Sequence, residues 1–199
     1  MSNVERKVPP PLWRWLGLAA TSLLLGTVAA IMLISAGIFD PQPLGSEQDR
    51  RALTAHAVPA GASQITWLEM PLPRDAYTVR LTAAHESGES DAAYGLALGD
   101  DAAYLAAAVS PLGYVAIWQQ LGEEKTTIMP WQTWPHVHTG QESNEIQIDV
   151  QRTQLTVRLN RERLWQGAWQ SPGRQLGLVG QSFGGRTVIA FQEMVLFAP

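Results

Sequence analysis

The chain has 199 residues, no cysteine, and 18 acidic against 14 basic residues, which gives a formal charge of -4. This charge excludes the broad basic surface of a nucleic-acid-binding protein, so no nucleic-acid partner is expected. Without cysteine, the chain forms no disulfide, thiolate metal site, redox pair or lipidated thiol. Only 16% of the residues are charged, against roughly 25% in an ordinary soluble domain.

The first predicted element is a transmembrane helix over residues 16–39. These 24 residues carry no charge, and a helix of that length spans about 36 Å, enough for the roughly 30 Å core of a bilayer. Arg6 and Lys7 precede the span, in the predicted tail over residues 1–15, and Asp40 follows it. We therefore expect a cell-membrane protein with a cytoplasmic N-terminus and an extracytoplasmic C-terminal domain.

A cleaved signal peptide is the alternative for this segment. Ser35, Ala36 and Gly37 imitate a small-residue cleavage site. The apolar run is longer than the roughly 7 to 15 residues of a signal peptide, which favours a retained helix.

Two sets of side chains predict the contacts of this helix. The membrane-interface set stands just before the apolar run and consists of Trp13, Arg14 and Trp15. Ser22, Gly26 and Ala30 recur at every fourth position, so they line one helix face where a second helix can approach closely. Small residues are also common in such helices without any helix partner. The span holds no ionisable group, so we expect no ion conduction through it.

The rest of the chain divides into a predicted linker and a domain rich in strands. Residues 40–62 hold several prolines and glycines with little periodicity, which predicts a linker before a domain over residues 63–199. Apolar and polar residues alternate over 77–83 and 145–150, as in half-buried strands. Turn sequences separate such stretches: Gly99-Asp100, Ser110 to Gly113, Arg152-Thr153, Ser171 to Gly173 and Gly184-Gly185. This pattern predicts a mainly β, antiparallel sandwich or barrel.

The alanine-rich stretch from Asp100 to Val109 has two interpretations. Helix propensity alone favours a short helix that begins at an aspartate cap. However, residues 91–94 and 101–104 share the sequence Asp-Ala-Ala-Tyr, which favours two matching strand starts. We predict a strand and keep the helix as the alternative.

The pattern from Ile65 to Phe197 resembles a known superfamily. Residues 94–98 and 109–114 are similar to the central hairpins of concanavalin A-like jelly-roll domains, the broad laminin-G and glucanase-like group. The superfamily includes the domain of unknown function related to keto-disaccharide hydrolases, and the chain resembles that group. Later strands of the family are similar to residues 144–150, 155–160, 177–180 and 188–196. The resemblance implies an antiparallel jelly-roll β-sandwich, a superfold that carries enzymes, lectins and interaction modules alike.

No residue set predicts catalysis. The run Gly180 to Gly184 matches G-x-S-x-G, but a strand rather than a helix is predicted after it and no histidine follows Ser182. Glu145 and Asp149 lie on one face of a predicted strand about 13 Å apart, too far for a pair of glycosidase carboxylates. We therefore predict no catalytic residue and no enzyme activity. A glycoside-active enzyme stays as an alternative.

Metal binding and cofactors are not predicted either. His136 and His138 would point to one side of a strand, as metal ligands do, but no third ligand is fixed by the sequence. Asp100 and Asp101 alone do not make a calcium site. We interpret the two histidines as polar loop residues.

Tryptophan is enriched, with eight in the chain. Trp67 and Trp118 lie in or near predicted strands and are assigned to the core. Trp131 and Trp134 lie in a predicted proline-bounded loop, residues 129–135, where one small sandwich has little room to bury an indole. We predict that these two contact a partner, a ligand or the membrane interface.

The leading hypothesis is a non-catalytic, single-pass accessory subunit of a larger membrane complex, for example a respiratory or photosynthetic one. Its partners would be other subunits and the lipid bilayer, with the sandwich on the extracytoplasmic face. The alternative is a membrane-tethered carbohydrate-binding module, which the family resemblance permits.

Overall fold

The computed structural model describes residues 12–35, 40–70, 72–169 and 173–199. It divides into two units, residues 1–41 and residues 42–199. Several predicted features lie outside the described residues. They are Arg6 and Lys7 of the tail, the side chain of Arg14, residues 36–39 at the end of the predicted span, and Ser171 of the predicted turn.

The first unit contains one apolar helix, α1, over Leu12–Ser35. Its segment Trp15–Leu33 is long and apolar enough to cross a membrane, and it would equally fit a signal sequence. The hydroxyls of Thr21 and Thr27 donate hydrogen bonds of 2.9 Å to the carbonyls of Gly17 and Leu23, four residues earlier. These bonds satisfy the hydroxyl protons within the helix itself, as an apolar environment requires.

Thirteen strands follow in the described part of the chain. Their bounds are β1 Ser46–Ala52, β2 Ala55–Val58, β3 Ser63–Leu68, β4 Ala76–Gly88, β5 Ala92–Gly99, β6 Ala103–Val109, β7 Tyr114–Leu121, β8 Glu124–Thr133, β9 Asn144–Gln151, β10 Gln154–Leu159, β11 Glu162–Ala168, β12 Gln175–Ser182 and β13 Thr187–Ala198.

The strands form two sheets that pack face to face. Sheet A has the order β1-β13-β4-β9-β10-β11, with β2 also paired to β13, and sheet B has the order β3-β12-β5-β6-β7-β8. All of the pairings are antiparallel. The predicted antiparallel jelly-roll β-sandwich with one N-terminal apolar helix is confirmed.

The core between the sheets follows the period-two pattern of the strands. Alternate residues of sheet A strands, such as Val79 and Ile148, face alternate residues of sheet B strands, such as Leu96 and Ile117, and all four are fully buried. Burial of such side chains is the main favourable term that stabilises a domain without disulfides.

The alanine-rich stretch is strand β6, so the strand prediction is confirmed. Its backbone pairs with β5 on one side, from Tyr104 to Val109, and with β7 on the other. Hydrogen bonds on both edges and burial of Leu105 and Val109 outweigh the helix propensity of alanine.

The predicted linker is wrong for residues 46–58. β1 and β2 lie end to end along the same edge of β13 and extend sheet A, and Val58 is fully buried in the core. The residues on β1 are mostly polar because the strand is at a sheet edge, where its side chains face solvent. Because β1 lacks the alternation of apolar and polar residues, its sequence does not predict a strand.

Candidate functional site

An exposed apolar cavity at one end of the sandwich is the main candidate site. We call it the aromatic cleft. It has a volume of about 260 Å³, and its lining residues are Asp91, Ser110, Leu112, Tyr114, Trp131 and Phe183.

The strand ends of sheet B bring these residues together. Asp91 directly precedes β5, Leu112 lies in the turn between β6 and β7, and Tyr114 begins β7. Trp131 lies on β8, and Phe183 lies in the turn between β12 and β13. A hydrogen bond of 2.9 Å from the Phe183 amide to the Asp91 carbonyl joins the two turns. The antiparallel sheet therefore gathers residues from distant parts of the chain at one rim.

Solvent exposure of large apolar side chains is concentrated in this cleft. Outside α1, the exposed large apolar side chains of the described residues are Leu112 at 48%, Tyr114 at 41%, Leu121 at 49%, Trp131 at 40% and Phe183 at 51%. All but Leu121 line the cleft. A contiguous patch of exposed apolar side chains marks a binding site, whereas single exposed apolar side chains are normal on protein surfaces.

Two of the six residues that line the cleft, Asp91 and Ser110, are polar apart from the Tyr114 hydroxyl. Asp91 is its only charged lining residue, and its carboxylate has no hydrogen-bond or ion-pair partner within the described ranges. The Ser110 hydroxyl oxygen accepts a hydrogen bond of 3.2 Å from the Leu112 amide, which leaves its proton free to be donated. The cleft thus combines aromatic walls with one strong acceptor and one donor.

The two tryptophans predicted to be at the surface differ in their surroundings. Trp131 lies on β8 rather than in a loop, and its ring contacts Phe183 in the cleft. Trp134 follows β8, is half-buried and packs against the core, so it does not line the cleft. The predicted proline-bounded loop is wrong for residues 129–133, because β8 is an edge strand whose register shift beside Pro130 accommodates the missing amide.

Trp67 and Trp118 were assigned to the core, and that prediction needs correction. Both lie on the outer face of sheet B in a second apolar cluster with Tyr104 and several alanines. Trp118 is buried there beneath Lys125, whose ammonium is 4.6 Å from the ring centroid. Trp67 is partly buried, and a Cβ at Gly177 would approach its ring to 2.9 Å, so this glycine lets the indole lie close to the sheet.

The residues that were considered for catalysis and metal binding, and not assigned to either, have the following contacts. β12 ends at Ser182, whose hydroxyl donates to the carbonyl of Gly185 within the turn to β13, as predicted for a hairpin. The Asp149 carboxylate accepts hydrogen bonds from Thr78 and Arg158 on the outer face of sheet A.

His136 and His138 lie in a loop, and His138 contacts the Ser143 carbonyl at 2.8 Å. Asp100 caps the turn before β6 by accepting from two backbone amides, and Asp101 accepts from the Trp67 indole. Among the described residues there is no group of three or more acidic or histidine side chains placed to hold a metal ion.

Five of the predicted contact residues of α1 lie on exposed surface, and the side chain of the sixth, Arg14, is outside the described part of the chain. Trp13 and Trp15 are exposed, and Ser22, Gly26 and Ala30 are exposed at four-residue spacing. Apart from the neighbouring helix backbone, no atom of the described residues lies within 4 Å of the position of a Cβ at Gly26. Their contacts with lipid or with another helix remain predictions.

Sequence reasoning found Trp131 but missed the other residues of the aromatic cleft. Leu112 and Phe183 are large apolar residues in turns, and Tyr114 follows a turn directly. Turns are mostly polar, so large apolar residues at these positions were a signal that could have been used.

No family model matches the chain, and no curated protein sequence matches it. Many solved structures are similar to the chain, and three of them are the following. A functionally unknown protein from Saccharomyces cerevisiae has a TM-score of 0.53 and 12% identity, with 79% of this chain and 96% of that one covered. A structure of endo-acting O-glycanases from the human gut microbiota has a TM-score of 0.54 and 6% identity, covering 73% and 79%. Sheep galectin-11 in complex with glycerol has a TM-score of 0.49 and 15% identity, covering 70% and 98%.

Likenesses at such low identity show the fold alone. The resemblance to the concanavalin A-like superfamily, and to its keto-disaccharide hydrolase-related group, therefore remains a prediction. The chain has the fold of a two-sheet antiparallel β-sandwich that follows one N-terminal apolar helix.

Proposed function

We propose that the protein is a non-catalytic carbohydrate-binding module tethered to a membrane, with the aromatic cleft as its sugar-binding site. The observation that carries this proposal is the convergence of Tyr114, Trp131 and Phe183 around the unpaired carboxylate of Asp91.

The chemistry of the cleft suits a sugar ring. One face of a pyranose presents C–H groups that stack on an aromatic side chain, while its rim presents hydroxyls. Trp131 and Tyr114 supply such apolar surfaces, and Asp91 supplies an acceptor for two hydroxyl donors. A cavity of about 260 Å³ is near the lower end of small-molecule sites, which favours one sugar residue over a long chain.

The architecture supports the same function. The fold is shared with an O-glycanase structure whose description concerns mucin breakdown. No pair of carboxylates lines the cleft, since Asp91 is its one acidic lining residue, and this favours binding without hydrolysis. Helix α1 would anchor the module, and the basic residues before it favour a cytoplasmic N-terminus with the sandwich outside the cell membrane.

Glycan binding by the full chain in mild detergent tests the proposal. We expect binding of neutral glycans on an array, weakened at least about tenfold by Trp131→Ala, the loss expected when a stacked aromatic anchor is removed. Leu121→Ala is the matched control, because Leu121 is equally exposed but lies outside the cleft. Silence on a broad array, or equal binding by both variants, would overturn the proposal.

An accessory subunit of a membrane complex is the second candidate function. The observation that favours it is the exposed face of Ser22, Gly26 and Ala30 on α1, which permits close approach of a second helix. Purification in mild detergent should then recover other membrane proteins with this chain. Gly26→Leu should release them, whereas Leu24→Val should not. Migration of the unmodified chain alone would exclude this function.

A further inference from the structure

A second cavity, distinct from the aromatic cleft, lies where four loops and strand ends meet. We call it the arginine pocket. Its volume is about 330 Å³, and the residues that matter here are Arg74, Tyr77, Arg152, Trp169 and Arg174. None of them lines the aromatic cleft.

Backbone hydrogen bonds fix the position of the three arginines. The Arg152 amide donates to the Asp75 carbonyl at 2.5 Å, next to Arg74. The Leu72 amide donates to the Arg174 carbonyl at 3.3 Å, and the Arg174 guanidinium donates back to the Leu72 carbonyl. These bonds connect the turn between β9 and β10 to the segments before β4 and β12. The three cations are therefore brought together by the fold rather than by chance contact of flexible loops.

The pocket has positive charge without a matching negative charge. Within the described ranges, the ion pairs are those of Arg50, Arg51 and Arg158, so Arg74, Arg152 and Arg174 make none. No acidic side chain of the described residues lines the pocket. Like charges held near one another repel, and an anion between them removes that cost.

The uncharged walls of the pocket are aromatic. Trp169 is 5% exposed and lines the pocket, but its indole nitrogen has almost no surface accessible to water, so we do not count it as a donor to a bound anion. Tyr77 is also buried, and burial raises the pKa of its phenol while the charge of Arg174 acts to lower it. The phenol is protonated at neutral pH and is a hydrogen-bond donor.

We propose that the arginine pocket binds an oxyanion, a carboxylate, phosphate or sulfate group carried by a small molecule. Three guanidinium groups offer donors, and planar guanidinium forks match the oxygen geometry of such anions. The cavity is larger than a bare anion, so the group would belong to a larger body packed against Tyr77 and Trp169. The inference stands on residues separate from the proposed sugar site.

Calorimetric titration of the full chain in non-ionic detergent tests this site. The probes are inorganic phosphate, sulfate and glucuronate, with glucose as the neutral control. In the Trp131→Ala variant, in which the proposed sugar site is weakened, we expect at least one anion to bind, glucose to give no signal, and added salt to weaken the anion binding. The anion that binds best identifies the group.

Substitutions separate a real site from general attraction to positive charge. Arg152→Gln should weaken anion binding at least about tenfold, and Arg186→Gln, an exposed arginine outside the pocket, should leave it unchanged. Arg74→Gln, at a second exposed arginine of the pocket, should weaken anion binding in the same way without loss of fold. Equal affinity in all variants, or no binding of any anion, would overturn the proposal. Trp131→Ala should not alter anion binding, so the two proposed sites can fail independently.

Discussion

The indole ring of Trp131 and the phenyl ring of Phe183 meet edge to face, with centroids 5.8 Å apart and planes at 89°. Trp131 comes from the edge strand β8, and Phe183 comes from the turn after β12. The contact thus joins two distant chain segments across the aromatic cleft. Edge-to-face geometry brings the positive edge of one ring to the negative face of the other.

This pair should be measurable as a coupling in stability. Trp131→Ala and Phe183→Ala together should destabilise the protein by less than the sum of the single changes, with a coupling of about 0.5 kcal/mol given the exposure of both rings. Urea denaturation of the four variants measures it. The same cycle built with Leu121→Ala and Phe183→Ala should be additive. Additivity of the Trp131 cycle would show that the rings do not stabilise each other.

Asp91 should be required for sugar binding but not for folding. Its carboxylate is exposed and unpaired within the described ranges, so Asp91→Ala removes an acceptor without stranding a buried partner. We expect affinity for neutral glycans to fall by about ten- to a hundredfold, the value of a hydrogen bond to a charged group. The melting temperature should stay unchanged. Glu89→Gln provides a nearby control that lies outside the cleft, and equal affinity in both variants would contradict the role of Asp91.

Stability at high pH should report on Tyr94. Burial raises the pKa of its phenol from 10.0 to about 12, while a hydrogen bond from Asn144 acts to lower it. The unfolded chain therefore loses this proton first as the pH rises. The contribution of Tyr94 is present below pH 10 and is lost progressively between about pH 10 and 12, by about 2 to 3 kcal/mol in total.

Urea denaturation from pH 8 to 11.5 measures this loss. Tyr94→Phe should flatten the decline but not abolish it, because burial also raises the pKa of Tyr77. An identical pH profile for Tyr94→Phe and the unmodified chain would contradict the assignment.

The sequence pattern predicted a strand well where that strand pairs with a neighbouring strand on both sides. The alternation over residues 145–150 became β9, which is paired on both sides, and its inward residues Ile146 and Ile148 are buried. Helix propensity alone favours a short helix at the position of β6. The sequence shared by residues 91–94 and 101–104 favours a strand, and the structure has a strand there. The alternation of apolar and polar residues thus predicts most of the core residues.

Edge strands and the outer faces of the sheets were harder to predict from the sequence, for physical reasons. β1 is a polar edge strand, so its sequence looks like a linker. Trp67 and Trp118 look like core residues, yet they pack on the outside of sheet B, because a tryptophan can be buried by alanines and a lysine as well as by a second sheet. The aromatic cleft could not be predicted without the order of the strands, since its residues come from four separate places in the chain.

The edge strands should be essential for the sandwich, in contrast to the role of a linker. A chain that begins at Ser63 lacks β1 and β2, so it loses the fully buried Val58 and exposes the edge of β13. A chain that begins at Gln42 keeps them. We expect the shorter chain to be less stable by at least about 3 kcal/mol in urea, from lost core burial and lost pairing, and to self-associate through the open edge.

Val58→Ala in the longer chain separates the two causes. It leaves the pairing intact and should cost about 1 to 3 kcal/mol, the range for removing buried methyl groups. Size-exclusion chromatography of this variant should show a monomer, whereas the chain that begins at Ser63 should form larger species. Equal stability and a monomeric state for both chain lengths would mean that residues 46–58 add nothing to the sheet and act as a linker after all.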